Sequence, residues 1–157
     1  MKYFNWTLVI AWMGIIFFLS HQPAETSGAL SGGVLEKILI IITFFENVFN
    51  LTFNREVLHL ILRKGAHFTA YFILGILLIN ALDDRKKHNS KKMYFQALII
   101  ALFYGVSDEY HQTFILGRAG QFQDVLIDGS GALASLIFWR FWEKTLHRRN
   151  IDSFESK

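Results

Sequence analysis

Three of the four long apolar blocks in this chain end before they could cross a lipid bilayer, and each ends at a group of acids and bases. A helix rises about 1.5 Å per residue and needs roughly 20 residues to cross about 30 Å of hydrocarbon. The block Met93–Val106 (MYFQALIIALFYGV) supplies fourteen residues and runs straight into SDEYHQ at positions 107–112. Gly129–Trp142 also has fourteen, which draws Asp128 and Asp124 to membrane depth. Phe68–Leu82 has fifteen, which draws in His67 and Lys64. A thinner bilayer would accommodate one short helix at fractions of a kcal/mol per Å. Three helices short at the same end instead predict that each continues through its polar residues.

Composition supports a lipid environment. The chain is 52% hydrophobic and 16% aromatic, has a mean hydropathy of +0.30, and gathers its apolar residues into blocks rather than amphipathic stripes. Such a chain of 157 residues is read as a single domain, 1–157, of an integral membrane protein. With no cysteine, disulfides and thiolate sites are excluded. The first block, Tyr3–Leu19, is seventeen residues without a charge. HQPAETSG after it offers no small-x-small cleavage site, so this block is read as a retained span rather than a signal peptide.

The segment 33–53 is different. Glu36, Thr43, Asn47, Asn50 and Asn54 fall along one helical face, opposite Leu35, Ile38, Ile42, Phe45 and Phe49. This predicts an amphipathic helix lying on the membrane surface. Basic residues agree. Four spans with the N-terminus inside place eleven of the sixteen Lys and Arg on the cytoplasmic side, as the positive-inside rule requires. A fifth span would put RKKHNSKK outside. The expected fold class is therefore all-α: a polytopic, four-transmembrane-helix bundle with spans near 3–20, 64–82, 93–112 and 124–142, plus the outer-surface helix, in the cell membrane with both termini cytoplasmic.

The polar residues at the short ends share faces. Lys64, His67 and Tyr71 form one stripe; Tyr104, Asp108, His111 and Gln112 another; Asp124, Asp128 and Gly131 a third. Gly131 and Ser135 provide a small-x-x-x-small contact for close packing. Arg118 lies in the turn ILGRAGQ between glycines. Acids at membrane depth need partners, because an unpaired charge at the bilayer centre costs about 2.5–3.5 kcal/mol on insertion scales. Pairing with Arg118, Lys64 and His67 is expected, around a small charged cavity open to the outside among the last three helices.

In this order the motifs resemble the VanZ-like family of bacterial membrane proteins: S-x-Q (Ser20, Gln22), R-K-x-x-H-F-x-x-Y (Arg63 to Tyr71), S-D-E-x-H-Q-x-F (Ser107 to Phe114), G-R (Gly117, Arg118) and D-x-x-x-[ND]-x-x-G (Asp124, Asp128, Gly131). The chain departs from the family pattern at Leu116 and in having Asp at 128. The resemblance implies a polytopic protein of the cell envelope. It also implies a link to teicoplanin resistance, since the name-giving member is associated with lowered sensitivity to that lipoglycopeptide antibiotic.

Two functional readings follow. In the first, a polar cavity at the outer leaflet engages membrane lipids, a lipid-linked envelope precursor or a lipoglycopeptide, with Lys64, Tyr71, Gln112, Arg118, Asp124 and Asp128 as ligand-binding residues. In the second, an intramembrane hydrolase or transferase uses His67, Asp108 and Glu109 as catalytic residues on a lipid-linked phosphate or phospholipid headgroup. The bland alternative is interhelical glue, each polar pair contributing about 0.6–2 kcal/mol. His67, His111, Glu109, Asp124 and Asp128 are possible metal ligands by type, but no H-E-x-x-H pair is present and no metal is assigned. Nucleic acid is not an expected partner, because the basic runs lack interleaved aromatics. Four spans without repeats argue against a transporter.

Overall fold

A computed structural model describes residues 2–23, 54–83 and 90–155, together with the separate positions 39, 40, 43, 48 and 52. The described elements are four helices: α1 (Lys2–Ser20), α2 (Arg55–Leu82), α3 (Ser90–Gln112) and α4 (Phe122–Glu155). Apart from those separate positions, the expected surface helix at 33–53 lies outside the described residues.

Helix α2 opens at Arg55, well before the boundary expected at 64, because Asn54 caps it. The Asn54 side chain accepts a hydrogen bond from the Glu56 amide at 2.9 Å, and Glu56 adds a carboxylate to the positive end of the helix dipole. At 28 residues α2 is about 42 Å long. Helix α4 continues past the expected end at 142 to Glu155, since EKTLHRRNIDSFE contains neither Pro nor Gly to stop it.

Three stretches are long and apolar enough to cross a membrane: Tyr3–Ser20, Arg55–Leu82 and Phe122–Glu143. Helix α3, of 23 residues, has the length of a span but is charged at both ends, SKK at its start and SDEYHQ at its finish. All four helices carry large apolar side chains on outward faces, including Phe18, Ile61, Phe103 and Phe141, the last two 73% exposed. An apolar surface of that extent suits hydrocarbon rather than water.

Consecutive helices run in opposite directions. Asn5 at the start of α1 donates to the Asn80 carbonyl at the end of α2 (2.9 Å). Ser20 at the end of α1 meets Asp108 near the end of α3, and Lys64 in the first half of α2 meets Asp124 at the start of α4. Helix α2 is central: it packs most extensively on α4 and also touches α1 and α3. The core is Tyr71, Leu74, Leu78 and Ile79 of α2 against Ala97 and Ala101 of α3 and Ala132 and Leu136 of α4.

Lipid tails are as apolar as leucine, so burial of these side chains contributes little between helices in a bilayer; close packing and interhelical hydrogen bonds do the work. The expected small-residue contact forms on α4. Gly131 abuts the Phe68 backbone of α2, and Ser135 occupies the space left by Gly75. Tyr104 Oη donates to the Met13 carbonyl at 2.6 Å, and Trp12 Nε1 to the Ala70 carbonyl at 2.9 Å. At the opposite end Glu143 accepts from Tyr94 Oη (2.7 Å) and Trp139 Nε1 (3.0 Å).

Candidate functional site

The polar ends of the four helices meet in one place. Asp108, Glu109 and Gln112 on α3 and Asp124 and Asp128 on α4 are each no more than 4% exposed, and Tyr71 on α2 is 1% exposed. These acids are not a solvated loop. They form a polar core walled by apolar helix faces.

Two sets of polar side chains bind α2 to α4. Lys64 Nζ lies 2.9 Å from Asp124 Oδ1, with Arg63 Nη2 3.8 Å from Asp124 Oδ2. One turn deeper, His67 Nδ1 lies 3.2 Å from Asp128 Oδ1. Lys64 and His67, on successive turns of α2, thus meet Asp124 and Asp128, on successive turns of α4, a two-rung ladder the helical repeat makes possible.

Helix α3 is tied in by neutral donors. Ser20 Oγ at the end of α1 donates to Asp108 Oδ2 at 2.8 Å. Gln112 Nε2 donates to the same oxygen at 3.3 Å and to Glu109 Oε1 at 3.2 Å. The Gln121 amide, in the turn before α4, donates to Glu109 Oε2 at 3.0 Å. His111, expected on the stripe with Asp108, turns away and stacks on His21, with ring centroids 5.4 Å apart and Nε2 3.1 Å from His21 Nδ1.

Arg118 does not pair with an acid as the sequence suggested. Nη1 donates to Gln112 Oε1 at 3.1 Å and Nη2 to the Leu19 carbonyl at 3.3 Å, so its direct partners among the described residues are neutral oxygens. Gly117, at φ 74°, takes the left-handed conformation that turns the chain here. Burial, with nearby Arg63, holds the Arg118 pKa below the ordinary arginine value, yet a guanidinium stays charged at any physiological pH.

Three buried polar atoms have no partner among the described residues: Tyr71 Oη, Asp108 Oδ1 and Asp128 Oδ2. An unsatisfied buried polar group costs about 1–3 kcal/mol. Such atoms call for another occupant, a proton or a ligand. The side chains of His67, Glu109 and Asp128, from three helices, each offer a ligand atom within 4.8 Å of the others.

All nine residues picked out from the sequence as candidate site residues therefore gather at one end of the bundle, with Tyr71 at the floor of the cluster and Arg118 at its rim. Ser20 and Arg63 were not singled out as site residues, although both occur in the motifs. The signal for Ser20 was its place at the end of the first apolar block, level with the polar ends of the others. His59 lies exposed, away from the network.

No curated protein and no solved structure matches the chain significantly. The VanZ/LLP1 family model matches residues 4–143, a span that includes every residue of the polar core. With its apolar helices and gathered acids, the chain is a membrane protein of the VanZ/LLP1 family.

Proposed function

We propose that this protein crosses the bacterial cytoplasmic membrane four times, both termini inside, and binds the anionic head of an amphiphile from the outer leaflet. Alternation of helix direction and the excess of basic residues at the other end support this topology. The observation that carries the binding reading is Arg118. Its half-buried guanidinium is hydrogen-bonded only to neutral oxygens among the described residues and stands near Arg63 at the mouth of the polar core. A guanidinium has five N–H donors, so two bonds leave a fork suited to phosphate or carboxylate. Lys64, Tyr71, Gln112, Asp124 and Asp128 would line the approach to it.

The head group in question is a phosphate- or sugar-phosphate-bearing one, as on a lipid-linked envelope precursor. A lipoglycopeptide of the teicoplanin type, with its lipid tail and polar head, is the second amphiphile to be considered.

Nanodisc-embedded protein should retain a lipid-linked phosphate over a neutral lipid of the same tail, and Arg118→Gln should weaken retention at least about tenfold, the loss of one charge-assisted contact. Equal retention by Arg118→Gln and wild type would refute the reading. Product release during the same incubation, lost in both His67→Ala and Glu109→Gln, would favour a hydrolase or transferase. That alternative draws on the convergence of His67, Glu109 and Asp128. Raised teicoplanin tolerance in a sensitive bacterium expressing the chain, absent with Arg118→Gln, would identify the lipoglycopeptide as a ligand.

A further inference from the structure

We propose that His67, Glu109 and Asp128 hold a divalent transition-metal ion of the zinc type in the centre of the polar core. This goes beyond head-group binding at Arg118 and stands without it.

The donor set is the first argument. One imidazole and two carboxylates from three different helices bring ligand atoms within 4.8 Å of one another. Donors bound to zinc at about 2.0–2.2 Å lie roughly 3.3–3.6 Å apart in tetrahedral geometry. A contraction of about an ångström completes the coordination. No local metal-ligand motif of the H-E-x-x-H kind marks this site, because its ligands are 19 to 61 residues apart rather than on one helical turn (67, 109 and 128).

Charge is the second. Among the described residues, the direct side-chain partners of Asp108, Glu109 and Asp128 are Ser20, Gln112 and the His67 imidazole, none of them a permanent cation. Lys64 and Arg63 pair with Asp124, and Arg118 makes its direct bonds to neutral oxygens. With Arg118 near Asp108 and Glu109 but bonded to neither, three buried carboxylates around an imidazole donor suit a dication.

The third argument is independent of the ligand count. Asp128, 1% exposed, spends Oδ1 on His67 and leaves Oδ2 buried without a partner. Tyr71 Oη, equally buried, is unpartnered as well. Both side chains converge on Gly105 of α3, where a Cβ would lie 3.4 Å from Tyr71 Cε1 and 3.6 Å from Asp128 Oδ2. Three protein ligands leave a position open for water or a substrate oxygen.

The test uses full-length protein in nanodiscs of zwitterionic lipid, stripped with a chelator and reloaded with zinc alone. About one zinc per chain is expected, with a nitrogen/oxygen shell near 2.0–2.2 Å in X-ray absorption. Asp128→Asn should bind zinc at least about a hundredfold more weakly, since even outer-shell changes cost 10–100-fold. Glu143→Gln, at the other end of the bundle, should bind as wild type does. Because the chain has no cysteine, His67→Cys should add an unambiguous sulfur scatterer at about 2.3 Å. This readout decides the matter even if Asp128→Asn fails to fold. Reloaded wild type without zinc, or zinc whose shell ignores His67→Cys, overturns the proposal. Head-group retention is not measured here, so failure of that reading leaves this result standing.

Discussion

The Lys64–Asp124 pair between α2 and α4 offers the most quantitative check on how the bundle is held together. Asp124 is 4% exposed, and its side chain has only Lys64 at 2.9 Å and Arg63 at 3.8 Å as partners among the described residues. The Lys64 side chain is 29% exposed, so the pair lies between a solvated bridge, worth about 0–1 kcal/mol, and a fully buried one, whose breakage costs about 3–5 kcal/mol. Asp124→Asn keeps the shape and removes the charge; we expect it to destabilise by about 2 kcal/mol. Lys64→Met keeps an unbranched apolar side chain of similar length and strands Asp124, and should cost a similar amount. The double variant should fall short of the sum by about 1–2 kcal/mol, the coupling energy expected for residues in contact. Equilibrium unfolding in mixed micelles, followed by tryptophan fluorescence, measures all four corners. Additivity within about 0.3 kcal/mol would show that the pair contributes nothing beyond its separate side chains, and the reasoning would fail.

Other expectations concern packing and sidedness. Ser20→Ala removes the 2.8 Å donor to buried Asp108 and should cost about 1–3 kcal/mol in the same unfolding assay; an unchanged midpoint would contradict the role given to Ser20. Gly131→Ala should destabilise by about 1–3 kcal/mol, since its Cβ meets the Phe68 backbone, whereas Gly14→Ala, with open space around it, should stabilise by up to about 1 kcal/mol. The reverse order would mean that α2 and α4 do not approach as described. In whole cells a membrane-impermeant thiol reagent should label Leu116→Cys, in the exposed turn, and spare Lys91→Cys until the cells are permeabilised. Labelling of Lys91→Cys alone would invert the proposed topology.

Much of the arrangement could be read from residues alone because the bilayer imposes one length on every span. The shortfall of Met93–Val106 made Asp108 and Glu109 part of a helix, and the 3-4 spacing of Lys64, His67 and Tyr71 put them on one face. Pairing partners were less legible. Lys64 with Asp124 and His67 with Asp128 follow from helix adjacency and register, which no local pattern encodes. Arg118 was expected on an acid because opposite charges attract; its place beyond the helix ends instead brings it to Gln112 and the Leu19 carbonyl, which are geometrically nearer. The gathering of His67, Glu109 and Asp128 with the other acids is legible as a shared cavity, but which of the five possible metal ligands approach one another is not: these three donors come together only when α2, α3 and α4 pack. The start of α2 at Arg55 is hard to read because Asn54 fits the polar face of the segment 33–53 as well as it fits a helix cap.

A buried polar centre requires SDEYHQ to lie inside the bilayer, and Tyr110 reports on that directly. Its neighbour Glu109 faces the polar core at 4% exposure, whereas Tyr110 is 68% exposed on the outer surface of α3. A nitroxide on Tyr110→Cys in liposomes, studied by power saturation, should be relaxed by dissolved oxygen and shielded from a water-soluble nickel chelate. Strong relaxation by the chelate, at the level of a label at Leu116→Cys in the exposed turn, would put the motif in water and remove the basis for a buried polar centre.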